Sequence, residues 1–129
     1  MNLEYRLEAK LLAIEKKLIK SKQALGYLQK ILHKIKKSVK DEIVKQIYIR
    51  KELEVTNIEM LIKKYSYELS VYIRHKVIIT RNEKGIYKVL ALLDELNDRI
   101  VDTIATLQSM IIYLGYSDYI NWLVISSLI

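Results

Sequence analysis

The sequence predicts an all-α fold: an antiparallel bundle of three long heptad-patterned helices with a short apolar helix at the C-terminus. Three observations carry this expectation. Proline is absent and glycine occurs only 3 times in 129 residues, so the strongest helix breakers are nearly missing. Apolar residues recur at spacings of three and four rather than two. Hydrophobic residues make up 51% of the chain, enough for a single domain spanning residues 1–129 to bury a core.

The first helix is defined by Leu7, Leu11, Ile14, Leu18, Ser21, Leu25, Leu28, Leu32, Ile35 and Val39, a heptad seam with one polar member. Sustained over that length, the seam needs a partner along roughly 48 Å at 1.5 Å per residue. The pattern slips at Ser38-Val39-Lys40-Asp41, where Glu42 would fall on the seam and the apolar set moves to Ile43, Val44 and Ile47. A bend or short break is expected near residue 40, with Ser38 and Asp41 at capping spacing. No Gly or Pro enforces the break, so a continuous kinked helix stays open.

A second seam runs through Val55, Ile58, Ile62, Tyr65, Leu69, Tyr72 and Ile79, with Lys76 its one charged member, and Thr56 and Glu59 have capping-box spacing near its start. The cluster Thr80-Arg81-Asn82-Glu83-Lys84-Gly85 marks a helix boundary, because Gly85 can take the left-handed conformation that ends a helix. The third seam is Ile86, Leu90, Leu93, Asn97, Ile100, Ile104, Leu107, Ile111 and Leu114. Gly115 is expected to end it, and Ser117 to cap a last helix from Asp118 to Ile129. Apolar residues surround that last element on all sides, so something must bury it. At about 18 Å it is too short to cross a bilayer.

The chemistry is as informative for what it lacks. There is no cysteine, hence no disulfide, thiolate nucleophile or thiolate metal site. The N-terminus, Met1-Asn2-Leu3-Glu4-Tyr5-Arg6, is charged where a secretory signal would be apolar, so the expected location is cytoplasmic or virion-associated rather than secreted. No Gly-rich phosphate loop and no Ser-His-acid spacing supports catalysis. Arg74-His75 and Arg81-Asn82 do not reproduce the Arg-and-His motif of the helical ribonuclease toxins of the HEPN superfamily. In the first, Arg and His are adjacent; in the second, Tyr87 stands where the His is needed. A non-enzyme without cofactor or small-molecule substrate is expected.

Charge points to a partner. The net charge is +7, with residues 1–50 at +8, residues 51–88 at +3 and residues 89–129 at −4. Between Lys16 and Lys40 lie 9 lysines and no acid, and Lys16, Lys20, Lys30, Lys34, Lys37 and Lys40 fall outside the seam. Pairs such as Lys16–Lys20 and Lys30–Lys34 repel at i,i+4, each costing the helix about 0.2–0.5 kcal/mol. Nucleic-acid phosphate would relieve that repulsion and release counterions. Lysine outnumbers arginine 17 to 5; contacts of that kind follow the backbone rather than read bases. The bland reading, a solvated face, carries comparable weight. Tyr27 and Tyr48 flank the basic stretch and could stack on bases.

Asp94, Asp98 and Asp102 repeat every four residues, a pattern that could hold a hard cation but is better explained by pairing with lysines of another helix or of another copy. No metal is expected. Asn97, an isolated polar seam residue, together with Tyr119, Trp122, Ile125 and Ile129, is expected at an interface between copies. Two functions follow: a non-catalytic coat or scaffold protein that binds nucleic acid non-specifically and self-associates, or a protein-docking module acting through its apolar C-terminal helix. A membrane partner is the weaker expectation. The composition, rich in Ile, Lys and Tyr and without Cys or Pro, resembles that of small proteins from AT-rich genomes. Among these are viruses of thermophilic archaea, whose coat proteins are often helical and bind DNA non-specifically.

Overall fold

A computed structural model describes the backbone of residues 2–128 and the side chains of residues 2–114. Four helices follow one another: α1 (Leu3–Ser38), α2 (Glu42–Arg74), α3 (Lys76–Ile79) and α4 (Glu83–Leu128), with no strand among the described residues. The fold is an all-α helical bundle of three long helices.

The ends of these helices are set by short polar side chains. Asn2 caps α1 by accepting from the Glu4 amide at 2.9 Å. Asp41 caps α2 by accepting from the amides of Ile43 and Val44. The slip near residue 40 is therefore a true break, and Asp41, not Ser38, caps the new helix. The Ser38 hydroxyl instead donates back to the Ile35 carbonyl. Thr56 does not open a helix either: it lies inside α2 and donates to the Glu52 carbonyl.

The boundary at residues 80–85 is present, but its cause differs from the expected one. Asn82 Oδ1 accepts from the Lys84 amide at 3.1 Å, and Gly85 sits in the first turn of α4 without a positive φ. The short fourth helix is α3, not a C-terminal one, because α4 runs unbroken through Gly115, Ser117 and Asp118. An interior glycine costs about 1 kcal/mol relative to alanine, which a long helix tolerates when nothing turns the chain away.

Ion pairs and hydrogen bonds fix the directions. Lys10 pairs with Asp94 and Lys17 with Asn97, so α1 and α4 run parallel. Gln29 meets Glu59, Lys36 meets Glu52 and Lys76 meets Glu8, so α2 descends beside α1. The order is up, down, up, with α1 packed against both of its neighbours and α2 touching α4 over a shorter stretch.

The core follows the seams. Leu7, Leu11, Ile14, Leu18, Leu25, Leu28, Leu32 and Ile35 of α1 are all buried, as are Val55, Ile58, Ile62, Tyr65 and Leu69 of α2. Ser21, the polar member of the first seam, is wholly buried and satisfied by donating to the Leu18 carbonyl at 2.8 Å. On α4, Leu96 takes the core position that the heptad assigned to Asn97. Between α2 and α4, the Tyr65 hydroxyl lies 3.4 Å from Thr103 Oγ1, whose own proton goes to the Arg99 carbonyl.

Candidate nucleic-acid interface

Three sides of α1 are spoken for. Its seam faces the core, Glu8, Gln29 and Lys36 face α2 and α3, and Lys10 and Lys17 face α4. The remaining side looks outward. With a repeat of about seven residues per two turns, Lys16, Gln23, Lys30 and Lys37 follow its midline, and Lys20, Tyr27 and Lys34 follow one edge. All of these residues are exposed, and so is Lys40, which sits in the connection between α1 and α2 rather than on the helix face.

The electrostatics of this face are of one sign. Several lysines elsewhere find acids: Lys10 with Asp94, Lys36 with Glu52 at 3.6 Å, Lys51 with Glu54 at 3.3 Å, Lys63 with Glu59 at 3.6 Å and Lys76 with Glu8. Among the described residues no acidic side chain comes within ion-pair distance of Lys16, Lys20, Lys30, Lys34, Lys37 or Lys40. The outer face of α4 is the opposite, with Glu95, Asp98 and Asp102 exposed. The bundle is thus polarised across its width, cationic over α1 and anionic over α4. Charges separated by more than about 8–10 Å are largely screened at physiological salt, so the lysines act on whatever lies directly against them.

The sequence-derived candidates divide accordingly. Lys16, Lys20, Lys30, Lys34 and Lys37 share the outer side of α1, and Lys40 lies beyond the end of that helix. Tyr27 stands among them, 58% exposed, whereas Tyr48 is buried in the core and cannot offer its ring to a base. Asp94 turns away from Asp98 and Asp102 to pair with Lys10, and among the described residues no three His, Cys, Asp or Glu side chains are placed to hold a metal ion. Asn97 lies half-buried within the chain's own α1–α4 contact, accepting from Lys17. Tyr119, Trp122, Ile125 and Ile129 lie outside the described side chains. Among the described residues no helix is long and apolar enough to cross a membrane.

One surface escaped the sequence reading. Leu53, Met60 and Tyr67 of α2 are exposed in line, and their spacing of seven on the side away from Val55, Ile62 and Leu69 was the signal available. Compared with protein-family models, curated proteins and solved structures, the chain matches none of them.

Proposed function

We propose that the protein binds nucleic acid through its phosphate backbone, without sequence preference, along the lysine face of α1, and that it acts as a self-associating coat or scaffold rather than as a catalyst. The observation that carries the reading is a contrast on a single helix. Lys10 and Lys36, on the flanks of α1, pair with acids of α4 and α2, while the lysines on its outer face have no acid beside them. An all-cationic row costs helix stability and is relieved by a phosphate polymer lying along it. Lysine acts as a point charge on phosphate, which fits affinity without base selection.

The experiment is a salt titration of binding to a generic duplex. Each phosphate contact contributes about 0.9 to the slope of log affinity against log salt, so Lys30→Gln/Lys34→Gln/Lys37→Gln should lower the slope by about 3 and weaken binding alike for unrelated sequences. A control in the ion-paired lysines, Lys45→Gln/Lys51→Gln/Lys63→Gln, should change the slope far less. Equal losses in the two triple variants would mean that general charge, not this face, is responsible.

A further inference from the structure

Leu53, Met60 and Tyr67 are 62%, 64% and 67% exposed and stand seven residues apart on the outermost line of α2. At 1.5 Å per residue they make an apolar ridge about 21 Å long. Single exposed apolar residues are ordinary, but three at heptad spacing form one half of a helix–helix seam. No part of the described chain covers it.

We propose that a second copy of this chain covers the ridge, its α2 lying antiparallel to the first about a two-fold axis at Met60. The charge pattern selects this arrangement. With Met60 against itself, Leu53 meets Tyr67 of the other copy, Lys63 falls opposite Thr56, and Lys64 falls opposite Asn57, so no cation faces a cation. Arg50 and Lys64, which have no acid at ion-pair distance among the described residues, come within a turn of Glu68 and Glu54 of the second copy. A parallel pair would instead stack Lys63 and Lys64 against their own counterparts. A shift of half a heptad spacing that sets Leu53 on Met60 would bring Lys64 opposite Arg50. Such a contact is isologous and closes as a dimer.

The dimer has a consequence for the lysine face. A two-fold axis perpendicular to the helices reverses the partner end for end but keeps it on the same side. Both α1 helices therefore lie on one side of the dimer and both α4 helices on the other. With neighbouring helices 8–10 Å apart, the two lysine faces run side by side roughly 25 Å apart, and the acids of α4 are gathered on the far side. The dimer stands on α2 alone; only this use of it rests on the proposed function.

Because the chain has no cysteine, single cysteines report the geometry directly. Met60→Cys should form a covalent dimer on mild oxidation. Leu53→Cys and Tyr67→Cys should each fail alone, since like positions sit about 21 Å apart, but should cross-link when mixed. If all three cross-link alone, the helices are parallel and the proposal is wrong. It is equally wrong if none does and light scattering gives a monomer at high micromolar concentration, or if flotation with phosphatidylserine vesicles, but not phosphatidylcholine vesicles, shows that Leu53→Glu/Met60→Glu abolishes lipid binding in a monomer. A covalent Met60→Cys dimer that ignores duplex DNA would leave the dimer standing and remove the proposed function. A duplex-binding monomer would remove the dimer and the self-association, and leave only the nucleic-acid binding of the lysine face.

Discussion

Lys17 Nζ donates to Asn97 Oδ1 at 2.5 Å across the α1–α4 contact, and this half-buried hydrogen bond places the polar member of the third seam at the edge of the core. Leu96, one residue earlier, is fully buried in its stead. The two positions should therefore respond very differently to truncation. Leu96→Ala removes packed methyl groups and should cost about 2–5 kcal/mol. Asn97→Ala should cost no more than about 1 kcal/mol, because the freed Lys17 ammonium can turn to water. Urea denaturation of both variants checks this, and a larger loss at Asn97 would put that residue inside the core.

The Tyr65–Thr103 pair gives a sharper test, because Thr103 has a single hydrogen and a carbonyl within reach of it. Thr103 spends its hydrogen on the Arg99 carbonyl, which leaves the Tyr65 hydroxyl as donor to Thr103. Thr103→Val strands a buried phenol and should cost about 1–3 kcal/mol, while Tyr65→Phe, leaving no unpaired donor, should cost about 0.5–1.5 kcal/mol. The double variant should be more stable than the sum of the two losses implies, since it strands neither group. Additive losses in a double-mutant cycle would show that the hydroxyls are not coupled.

Capping separates two residues that look alike in the sequence. Asp41 holds the amides of Ile43 and Val44, so Asp41→Ala should cost about 0.5–2 kcal/mol and fray the start of α2 in hydrogen exchange. Ser38 only bonds back to its own helix, and Ser38→Ala should change stability by less than about 0.5 kcal/mol. If Ser38 proves the costlier loss, the cap has been assigned to the wrong side of the break.

These contrasts show what a lone sequence discloses. Leu7 through Ile35 could be read as core because a heptad seam of ten positions has one consistent face, and the structure buries that face even at Ser21. On α4 the same rule slipped from Leu96 to Asn97. A helix of 3.6 residues per turn drifts about 20° per heptad, and α4 packs against two neighbours, so its buried stripe is wide and wanders. The breaks near residues 40 and 80–85 were located within a few residues, but their agents were not, and the end expected at Gly115 is absent because α4 continues to Leu128. Asn82 and Gly85 stand three apart, and only backbone geometry says which one acts. The lysine row was legible because charge is written in the residues. Which lysines are already paired was not, because Lys10 and Asp94 are 84 positions apart and meet only once α1 and α4 lie parallel.

Tyr27 distinguishes the kinds of nucleic acid that the lysine face would hold. Its ring is exposed on the outer side of α1, seven residues from Lys20 and from Lys34 and three from Lys30, so cations flank it along the helix. A duplex keeps its bases stacked inside and presents phosphates, for which a tyrosine ring has little use. A single strand exposes base faces, and stacking on an aromatic ring is worth about 1–3 kcal/mol per base. Tyr27→Ala should accordingly weaken binding to a single-stranded oligonucleotide by roughly 5- to 150-fold, leaving the salt slope unchanged because no phosphate contact is lost. Binding to a duplex of the same sequence should hardly move. Tyr48→Ala makes a poor comparison because that ring is in the core, so the control is Tyr87→Ala, exposed on α4 rather than on the outer side of α1. An equal loss for single strand and duplex would mean that Tyr27 shapes the helix face rather than touching a base; no loss for either would leave the lysines as the sole contacts.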